Sequence, residues 1–320
     1  MTRHFLRDDD LTPAEQSAVL GLAIQLKLER FSTIGPGPLD GPRTVAVIFD
    51  KPTLRTQLSF ATGIVELGGY PMVVDGNLAR IGVRESIADT ARVLGRQATA
   101  IVWRTFDQSR IEEMAEYAGV PVVNALTDQF HPCQLLADLL TIREHRGELA
   151  GLTVTFLGDS ASNMASSTLL AGVTAGMHVR VSGPAGYEPD PAVLDRAREV
   201  GETTGGSASY VLDPGKAVDG ADVVATDTWV SMGKEDEAER RAAPFRPYAV
   251  TEELLEQAGG DVLVMHCLPA YRGKEIEAAV IDGPHSVVWD QAENRLHAQK
   301  ALLTWLLENQ APTGAGKKGV

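Results

Sequence analysis

Cysteine is scarce in this sequence: Cys133 and Cys267 are the only two among 320 residues. Two thiols form no framework of the disulfide-rich secreted kind, and their spacing from the histidines matches no zinc pattern. No apolar run approaches the roughly 20 residues that a membrane-spanning helix needs. Residues 1–10 are polar and charged, without the apolar centre of a signal peptide. We therefore expect a soluble protein of a reducing cytoplasm, with no bound metal and no membrane partner.

Positive charge is in deficit: 29 Lys and Arg against 43 Asp and Glu give a formal net charge of −14 at pH 7. A surface this acidic argues against nucleic acid or an anionic membrane as a partner. A site for an anionic substrate must then be built locally, from a few converging arginines and backbone N–H groups. The content of 44% apolar and 22% charged residues is typical of a globular protein, and the length suits two domains.

Short apolar runs alternate with amphipathic segments along the chain. The predicted strands lie at residues 45–49, 72–74, 100–103, 120–123, 153–157, 178–181, 210–212, 222–225, 262–266 and 287–289. Strands that alternate with helices predict parallel sheets covered on both faces. We expect an α/β protein with two doubly wound parallel-sheet domains linked by helices. Residues 1–133 form the predicted first domain and residues 134–291 the second; a helix at 292–309 returns to the first, and 310–320 is a disordered tail.

Candidate binding residues in the first half follow the predicted strands, because open α/β sheets bind ligands beyond the carboxyl ends of their strands. Residues 53–56 combine hydroxyls and an arginine at a helix start, whose unpaired N–H groups together with Arg55 can bind a phosphate. Arg104 follows another strand. His131 also precedes a helix, whose positive end favours a neutral imidazole that can donate to a carbonyl oxygen. Helix caps and a surface arginine are the structural alternatives, and they stay open.

The second half offers a similar set of residues. Asn163 lies near a helix start and Asp227 follows a strand, where it could hold an ammonium group. Cys267 follows another strand; it is either inert packing or a thiolate that orients an amine. Arg295 opens the last helix and could return to the anion site. The spacing Gly-x-Gly-x-x-Gly is missing, which argues against a nicotinamide cofactor.

The order of these segments resembles the aspartate/ornithine carbamoyltransferase family, from about residue 4 to about residue 309. The segments that carry the resemblance are His131-Pro132-Cys133-Gln134, Asp227 with Ser231-Met232-Gly233, His266-Cys267-Leu268-Pro269, and residues 89–94 and 293–300. The Ser-Met-Gly and His-Cys-Leu-Pro segments are similar to those of members with ornithine as acceptor. The resemblance implies transfer of a carbamoyl group from carbamoyl phosphate to the side-chain amine of L-ornithine. The products would be L-citrulline and phosphate, in arginine metabolism, without a cofactor or metal.

The resemblance also implies roles for single residues. Carbamoyl phosphate would be bound by Thr53, Leu54, Arg55, Thr56, Arg80, Arg104, His131, Gln134, Cys267, Leu268 and Arg295. Ornithine would be bound by Asn163, Asp227, Ser231 and Met232. The catalytic residues among them would be Arg55, Arg104, His131 and Cys267. The family's trimer implies a homo-oligomer, in which the loop near residues 78–82, with Arg80, reaches a neighbouring copy's site.

The sequence departs from the family pattern on the carbamoyl phosphate side. The family's phosphate loop reads Ser-Thr-Arg-Thr, and Leu54 replaces the first Thr of that loop. Arg80 replaces the usual Gln of the loop that reaches a neighbouring copy. These changes bear on donor affinity more than on the identity of the acceptor. Two alternatives stay open: a carbamoyltransferase with a different amine acceptor, and a non-catalytic paralogue that binds ligand without turnover. The sequence does not decide between an anabolic and a catabolic role.

Overall fold

The computed structural model describes residues 2–32, 37–230 and 243–310. Within these ranges the strands are β1 (Thr44–Phe49), β2 (Tyr70–Asp75), β3 (Ala100–Arg104), β4 (Val122–Leu126), β5 (Thr153–Leu157), β6 (His178–Ser182), β7 (Ser207–Tyr210), β8 (Val223–Thr226) and β9 (Leu263–His266). The helices of the first half are α1 (Pro13–Leu28), α2 (Arg55–Glu66), α3 (Gly76–Ala79), α4 (Ile87–Gln97), α5 (Gln108–Ala118) and α6 (Pro132–Arg146). Those that follow are α7 (Asn163–Thr174), α8 (Pro191–Thr204), α9 (Pro214–Val218), α10 (Glu252–Leu255), α11 (Ala278–Ile281) and α12 (Val288–Glu308).

The first sheet has the strand order β2-β1-β3-β4, and all its pairs are parallel. Alternate residues of β1 enter two different apolar clusters, because successive side chains of a strand point to opposite faces. Val45 and Val47 pack with residues of α2 and α12, whereas Ala46 and Ile48 pack with residues of α4 and α5. Both faces are therefore covered by helices. The strand order reverses between β1 and β3, so a crevice opens at their carboxyl ends.

The second sheet has the order β7-β6-β5-β8-β9, again with parallel pairs. Val154 and Phe156 of β5 face the large cluster that includes α7, and Leu157 faces a smaller cluster with α9 and β9. Here the strand order reverses between β5 and β8, which places a second crevice at the carboxyl ends of these two strands. The α/β fold with two parallel sheets is thus confirmed.

Two buried helices join the halves of the molecule. In α6, every residue from Pro132 to Ile142 is buried, and α12 packs against α6 as well as against α1 and α2. The largest apolar cluster runs through this junction without interruption, from β1 in the first sheet to β5 in the second. The domain boundaries at residues 133/134 and 291/292 stay a prediction.

Three of the predicted strands differ clearly from the structure. The strand predicted at 120–123 begins and ends later, because β4 is Val122–Leu126. Residues 287–289 form no strand: α12 begins at Val288, and Ser286 makes an isolated bridge to Val264. Val288 is buried and Trp289 is 60% exposed, and a short apolar run cannot distinguish a strand from a helix start by periodicity alone. The strand predicted at 210–212 ends earlier, because β7 is Ser207–Tyr210. Residues 311–320 of the predicted tail lie outside the described residues.

No helix in the described part of the chain is long and apolar enough to cross a membrane.

Candidate active site

A cavity of about 1110 Å³ lies where the carboxyl ends of the two sheets face each other. One side consists of the segments that follow β1, β3 and β4, and the other of those that follow β5, β8 and β9. Both strand-order reversals therefore open into the same space. This is the position at which doubly wound sheets bind ligands.

Most of the predicted site residues line this cavity. They are Thr53, Leu54, Arg55, Thr56, Arg104, His131, Asn163, Asp227, Cys267, Leu268 and Arg295. Gln134 is buried behind the cavity wall and does not line it. Arg80 is exposed at the end of α3, away from the cavity of its own chain. Ser231 and Met232 lie outside the described residues.

The start of α2 offers backbone N–H groups that suit an anion. Leu54 precedes the helix and caps it with no side-chain hydrogen bond, and the first helical bond runs from the Leu58 N–H to the Leu54 carbonyl at 2.9 Å. Helix geometry therefore leaves the N–H groups of the first turn available to a ligand. The Leu54 side chain is 74% exposed. Compared with the family pattern, Leu54 thus lacks a side-chain hydroxyl, but the backbone N–H donors of the helix start remain.

Two buried arginines from distant parts of the chain converge on this helix start. Arg295 of α12 donates from Nη2 to the Thr56 hydroxyl at 2.5 Å, and Arg104 lies at the end of β3. Burial lowers the pKa of both guanidinium groups to about 10, and the positive charges of nearby arginines, Arg55 included, add to the effect. Both stay charged near neutral pH. Neither Nε finds a hydrogen-bond partner among residues 2–32, 37–230 and 243–310.

His131 is buried at the start of α6, beside these arginines. Burial lowers the pKa of its imidazole well below the usual value, and the charges of Arg295 and Arg104 lower it further. Its backbone N–H donates to the Ser167 hydroxyl at 2.9 Å, while Nδ1 has no partner within the described segments. The ring is therefore a neutral group, able to donate a hydrogen bond beside a concentration of positive charge.

The loop after β5 brings a polar side chain across from the second sheet. Gly158 has φ +126°, a conformation that strongly favours glycine at the turn out of the strand. Ser162 caps α7 by accepting from the Ala165 N–H at 3.2 Å. Asn163, the first residue of α7, donates from Nδ2 to the Thr127 carbonyl at 2.8 Å. It thus lies at the boundary of the two halves.

An acidic group faces the arginines from the second sheet. The Cys267 thiol donates to Asp227 Oδ1 at 3.1 Å, and the same oxygen accepts from the Thr228 N–H at 2.7 Å. Burial raises the pKa of Cys267 well above its ordinary value, and the Asp227 charge raises it further. The thiolate interpretation is therefore not supported, and the group acts as a neutral donor to Asp227. Burial also raises the pKa of Asp227.

Leu268 has a left-handed backbone with φ +58°, which costs a non-glycine residue about 1–3 kcal/mol. Its N–H donates to His266 Nδ1 at 2.9 Å, and His266 Nε2 lies 3.2 Å from Glu275 Oε1. The buried His–Glu pair therefore holds the strained segment beside Asp227. The ligand atoms of Asp227, His266 and Cys267 lie within 4.8 Å of one another. Both ring nitrogens of His266 are engaged, so these three residues do not form a free set of metal ligands.

Sequence reasoning missed two parts of the site. Lys51 and Asp128 form an ion pair on the cavity wall. A second, buried set links Asp138 of α6 to Gln134 and to Gln291 of α12. The spacing of four residues between Gln134 and Asp138 was the available signal, because residues at i and i+4 of a helix are neighbours.

Arginines and a neutral histidine that face a carboxylate and a thiol, in a cleft between two parallel α/β sheets, define the site of a group transferase with an anionic donor and an amine acceptor. Two family models match the chain. The aspartate/ornithine carbamoyltransferase carbamoyl-P binding domain covers residues 3–144, and the Asp/Orn binding domain of the same family covers residues 150–306. The chain belongs to the aspartate/ornithine carbamoyltransferase family.

The similarity extends over nearly the whole chain. An ornithine carbamoyltransferase of Clavibacter michiganensis subsp. michiganensis is 62% identical over 307 residues, which cover 96% of this chain and 99% of the relative. That of Mycobacterium ulcerans is 59% identical over 308 residues, with coverage of 96% and 99%. The solved structure of the ornithine carbamoyltransferase from Pyrococcus furiosus has a TM-score of 0.92 at 45% identity, with coverage of 96% and 97%.

Proposed function

We propose that this protein is an ornithine carbamoyltransferase, which transfers the carbamoyl group of carbamoyl phosphate to the side-chain amine of L-ornithine. The observation that carries the proposal is a set of buried polar atoms around one cavity that have no hydrogen-bond partner among the described residues: the Nε atoms of Arg104 and Arg295 and Nδ1 of His131. Buried polar groups are nearly always paired in folded proteins. A cluster of unpaired ones beside Asp227 is explained by a ligand that is anionic at one end and an amine at the other.

The donor would bind on the side of the first sheet. Its phosphate is held by Arg55 and the N–H groups that begin α2, with the hydroxyls of Thr53 and Thr56 beside them. Its carbonyl oxygen accepts from Arg104 and from the neutral His131, as an oxyanion requires. Arg295 adds charge next to the phosphate. Gln134 lies behind the cavity wall, and its side-chain oxygen, which has no partner in the described structure, would accept from the carbamoyl NH₂.

The acceptor would bind on the side of the second sheet. Asp227, with Cys267 as its hydrogen-bond donor, orients the side-chain amine, and Asn163 binds the amino-acid end of ornithine. The backbone of Leu268 lies where the two substrates meet. Ser231 and Met232 keep their predicted role in ornithine binding as part of this proposal.

The reaction then needs no group beyond the two substrates and these side chains. An amine with a solution pKa of about 10.4 must first lose a proton. The free nitrogen attacks the carbonyl carbon and forms the N–C bond. The bond from that carbon to the phosphate oxygen breaks, and the proton that the attacking nitrogen gives up goes to the leaving phosphate. Much of the rate comes from holding both substrates in register.

Citrulline formation by the purified chain tests this function. With saturating carbamoyl phosphate, we expect colorimetric detection of citrulline from ornithine and little product from aspartate, lysine or acylated ornithine. Equal or better use of another amine would favour a different acceptor. Calorimetric binding of both substrates with no product would favour the non-catalytic paralogue.

We also propose a homotrimer. The α2 helix and the edge strand β2 both expose large apolar side chains, namely Leu58, Val65, Tyr70, Met72 and Val73. Large exposed apolar patches and unpaired strand edges favour association. Arg80 lies just beyond β2, so such an association could carry it to a neighbour's cavity. Light scattering should give about three times the chain mass of 34.2 kDa, and Leu58→Glu should reduce it; a monomer would refute the proposal.

We place the enzyme in the cytoplasm, in arginine metabolism. Cys133 and Cys267 are both free thiols, which suits a reducing compartment. Cell fractionation that found the protein in an oxidising compartment would contradict the assignment.

A further inference from the structure

Asp138 lies at the junction of α6 and α12, behind the cavity wall, and the proposed chemistry does not use it. It is buried, and its Oδ1 accepts two hydrogen bonds of 2.8 Å, one from Gln134 Nε2 and one from Gln291 Nε2. Gln291 Oε1 in turn accepts from the His266 N–H at 2.9 Å. A continuous chain of hydrogen bonds therefore runs from Gln134 to the end of β9.

This chain of hydrogen bonds determines how each glutamine is oriented. An ionised carboxylate can only accept hydrogen bonds, so both glutamines must turn their NH₂ groups toward Asp138. In Gln291, the side-chain oxygen then faces the His266 N–H, which needs an acceptor. The NH₂ and the oxygen of Gln291 therefore both have a suitable partner. For Gln134, the opposite end is an oxygen with no partner in the described parts of the chain. An acceptor is what a carbamoyl NH₂ requires.

The hydrogen bonds of Asp138 form two arms, which lead to opposite sides of the cavity. One arm runs to Gln134, and the other runs through Gln291 to the His266 backbone. Gln134 lies in the first turn of α6, three residues after His131, on the side of the arginines. The His266 backbone leads directly to Cys267, whose thiol donates to Asp227. We propose that Asp138 is a positioning residue: its carboxylate directs the free oxygen of Gln134 toward the carbamoyl group and, through Gln291, holds the backbone that carries Cys267.

A carboxyl group is kept in this buried position at a cost, which argues for such a role. Burial raises its pKa to about 6, against the stabilising hydrogen bonds of Gln134 and Gln291. The titratable groups that face it are Arg295 from α12, Asp227 after β8 and the neutral Cys267 thiol after β9. A buried polar contact between two helices stabilises the fold less than apolar packing of similar volume would. This inference rests on the proposed function, since it names what the two arms position.

The test compares three variants by their KM values for the two substrates. Asp138→Leu keeps the branched shape and removes the acceptor; we expect both KM values to rise about tenfold or more, since a hydrogen bond to a charged group is lost on each arm. Asp138→Asn retains an oxygen that can accept from both glutamines, so we expect both KM values within about threefold of the parent. Thr141→Val is the matched control. Thr141 accepts from Asn294 across the same helix pair at 2.9 Å, one turn away from Asp138.

We expect Thr141→Val to leave both KM values within about twofold of the parent. If Asp138→Leu matches this control, or if Asp138→Asn loses as much as Asp138→Leu, the positioning role is refuted. Should Asp138→Leu fail to fold, Gln291→Met decides. It cuts one arm only, so the KM for ornithine should rise severalfold while that for carbamoyl phosphate stays within about twofold. Equal changes in both constants would refute the inference.

Citrulline formation by the unaltered chain is measured first, which separates the two ideas. A chain that makes no citrulline refutes the proposed function. The positioning role is then judged by calorimetric affinities for carbamoyl phosphate and for ornithine, where the same pattern across the variants is required. A chain that is active, but whose variants show no such pattern, refutes the positioning role alone.

Discussion

Replacing Arg295 with Met should make the protein more stable and nearly inactive. Burial lowers the pKa of Arg295 to about 10, well below the ordinary value of a guanidinium group, and one pKa unit corresponds to about 1.4 kcal/mol. The folded state therefore loses about 3 kcal/mol by holding this charge near neutral pH. The hydrogen bond to Thr56 returns about 1 kcal/mol. A methionine, flexible and helix-compatible, fills the space without the charge, so we expect a net gain of about 2 kcal/mol.

The same substitution should lower citrulline formation by about a hundredfold or more, because a buried donor to the phosphate is removed. Urea unfolding and the citrulline assay measure the two effects on one sample. Arg272→Met is the control; this guanidinium pairs with Asp282 at the surface, so neither quantity should change much. If Arg295→Met is inactive and also clearly less stable than the parent, Arg295 is chiefly structural and the reasoning is wrong.

Three further results are expected. Arg55→Ala should nearly abolish citrulline formation with an unchanged circular dichroism spectrum, and retention of most activity would contradict its role in phosphate binding. Asp227→Asn should raise the KM for ornithine far more than that for carbamoyl phosphate; equal losses would count against this division. The Asp138 pKa of about 6 lies above its ordinary 3.8, so its contribution to stability is full below about pH 4 and is lost as the pH rises through 6. The side chain of Asp138→Asn cannot ionise, so between pH 4 and 7.5 the free energy of unfolding of this variant should rise by up to about 3 kcal/mol relative to the parent, as measured by urea unfolding. A difference that does not change with pH would refute this.

The sequence predicted the site better than it predicted the ends of single elements. Residues that follow parallel strands share one edge of the sheet, so Arg55 and Arg104 had to lie close together once β1 and β3 were recognised. The meeting of the two sheets was not determined locally. That Arg295 reaches Thr56 follows from the packing of α12 on α2, which depends on tertiary contacts. Family resemblance supplied that connection.

The parts that were missed or wrong have physical reasons. The segment at 287–289 has three apolar residues, too few to separate a strand from the start of a helix. Asp138 lies in the buried stretch of α6, from Pro132 to Ile142, where polar residues show no amphipathic pattern that would mark them out. Its role depends on Gln291, more than 150 residues later in the chain. The ionisation state of Cys267 depends on burial and on Asp227, neither of which local sequence reveals.

A crystal structure with a phosphonate analogue of carbamoyl phosphate, in which CH₂ replaces the bridging oxygen, tests the central claim most directly. The account predicts the phosphonate at the start of α2, within hydrogen-bonding distance of Arg55, and the carbonyl oxygen within reach of Arg104 and His131. An analogue bound elsewhere, or one whose carbonyl oxygen faces Asp227, would contradict it.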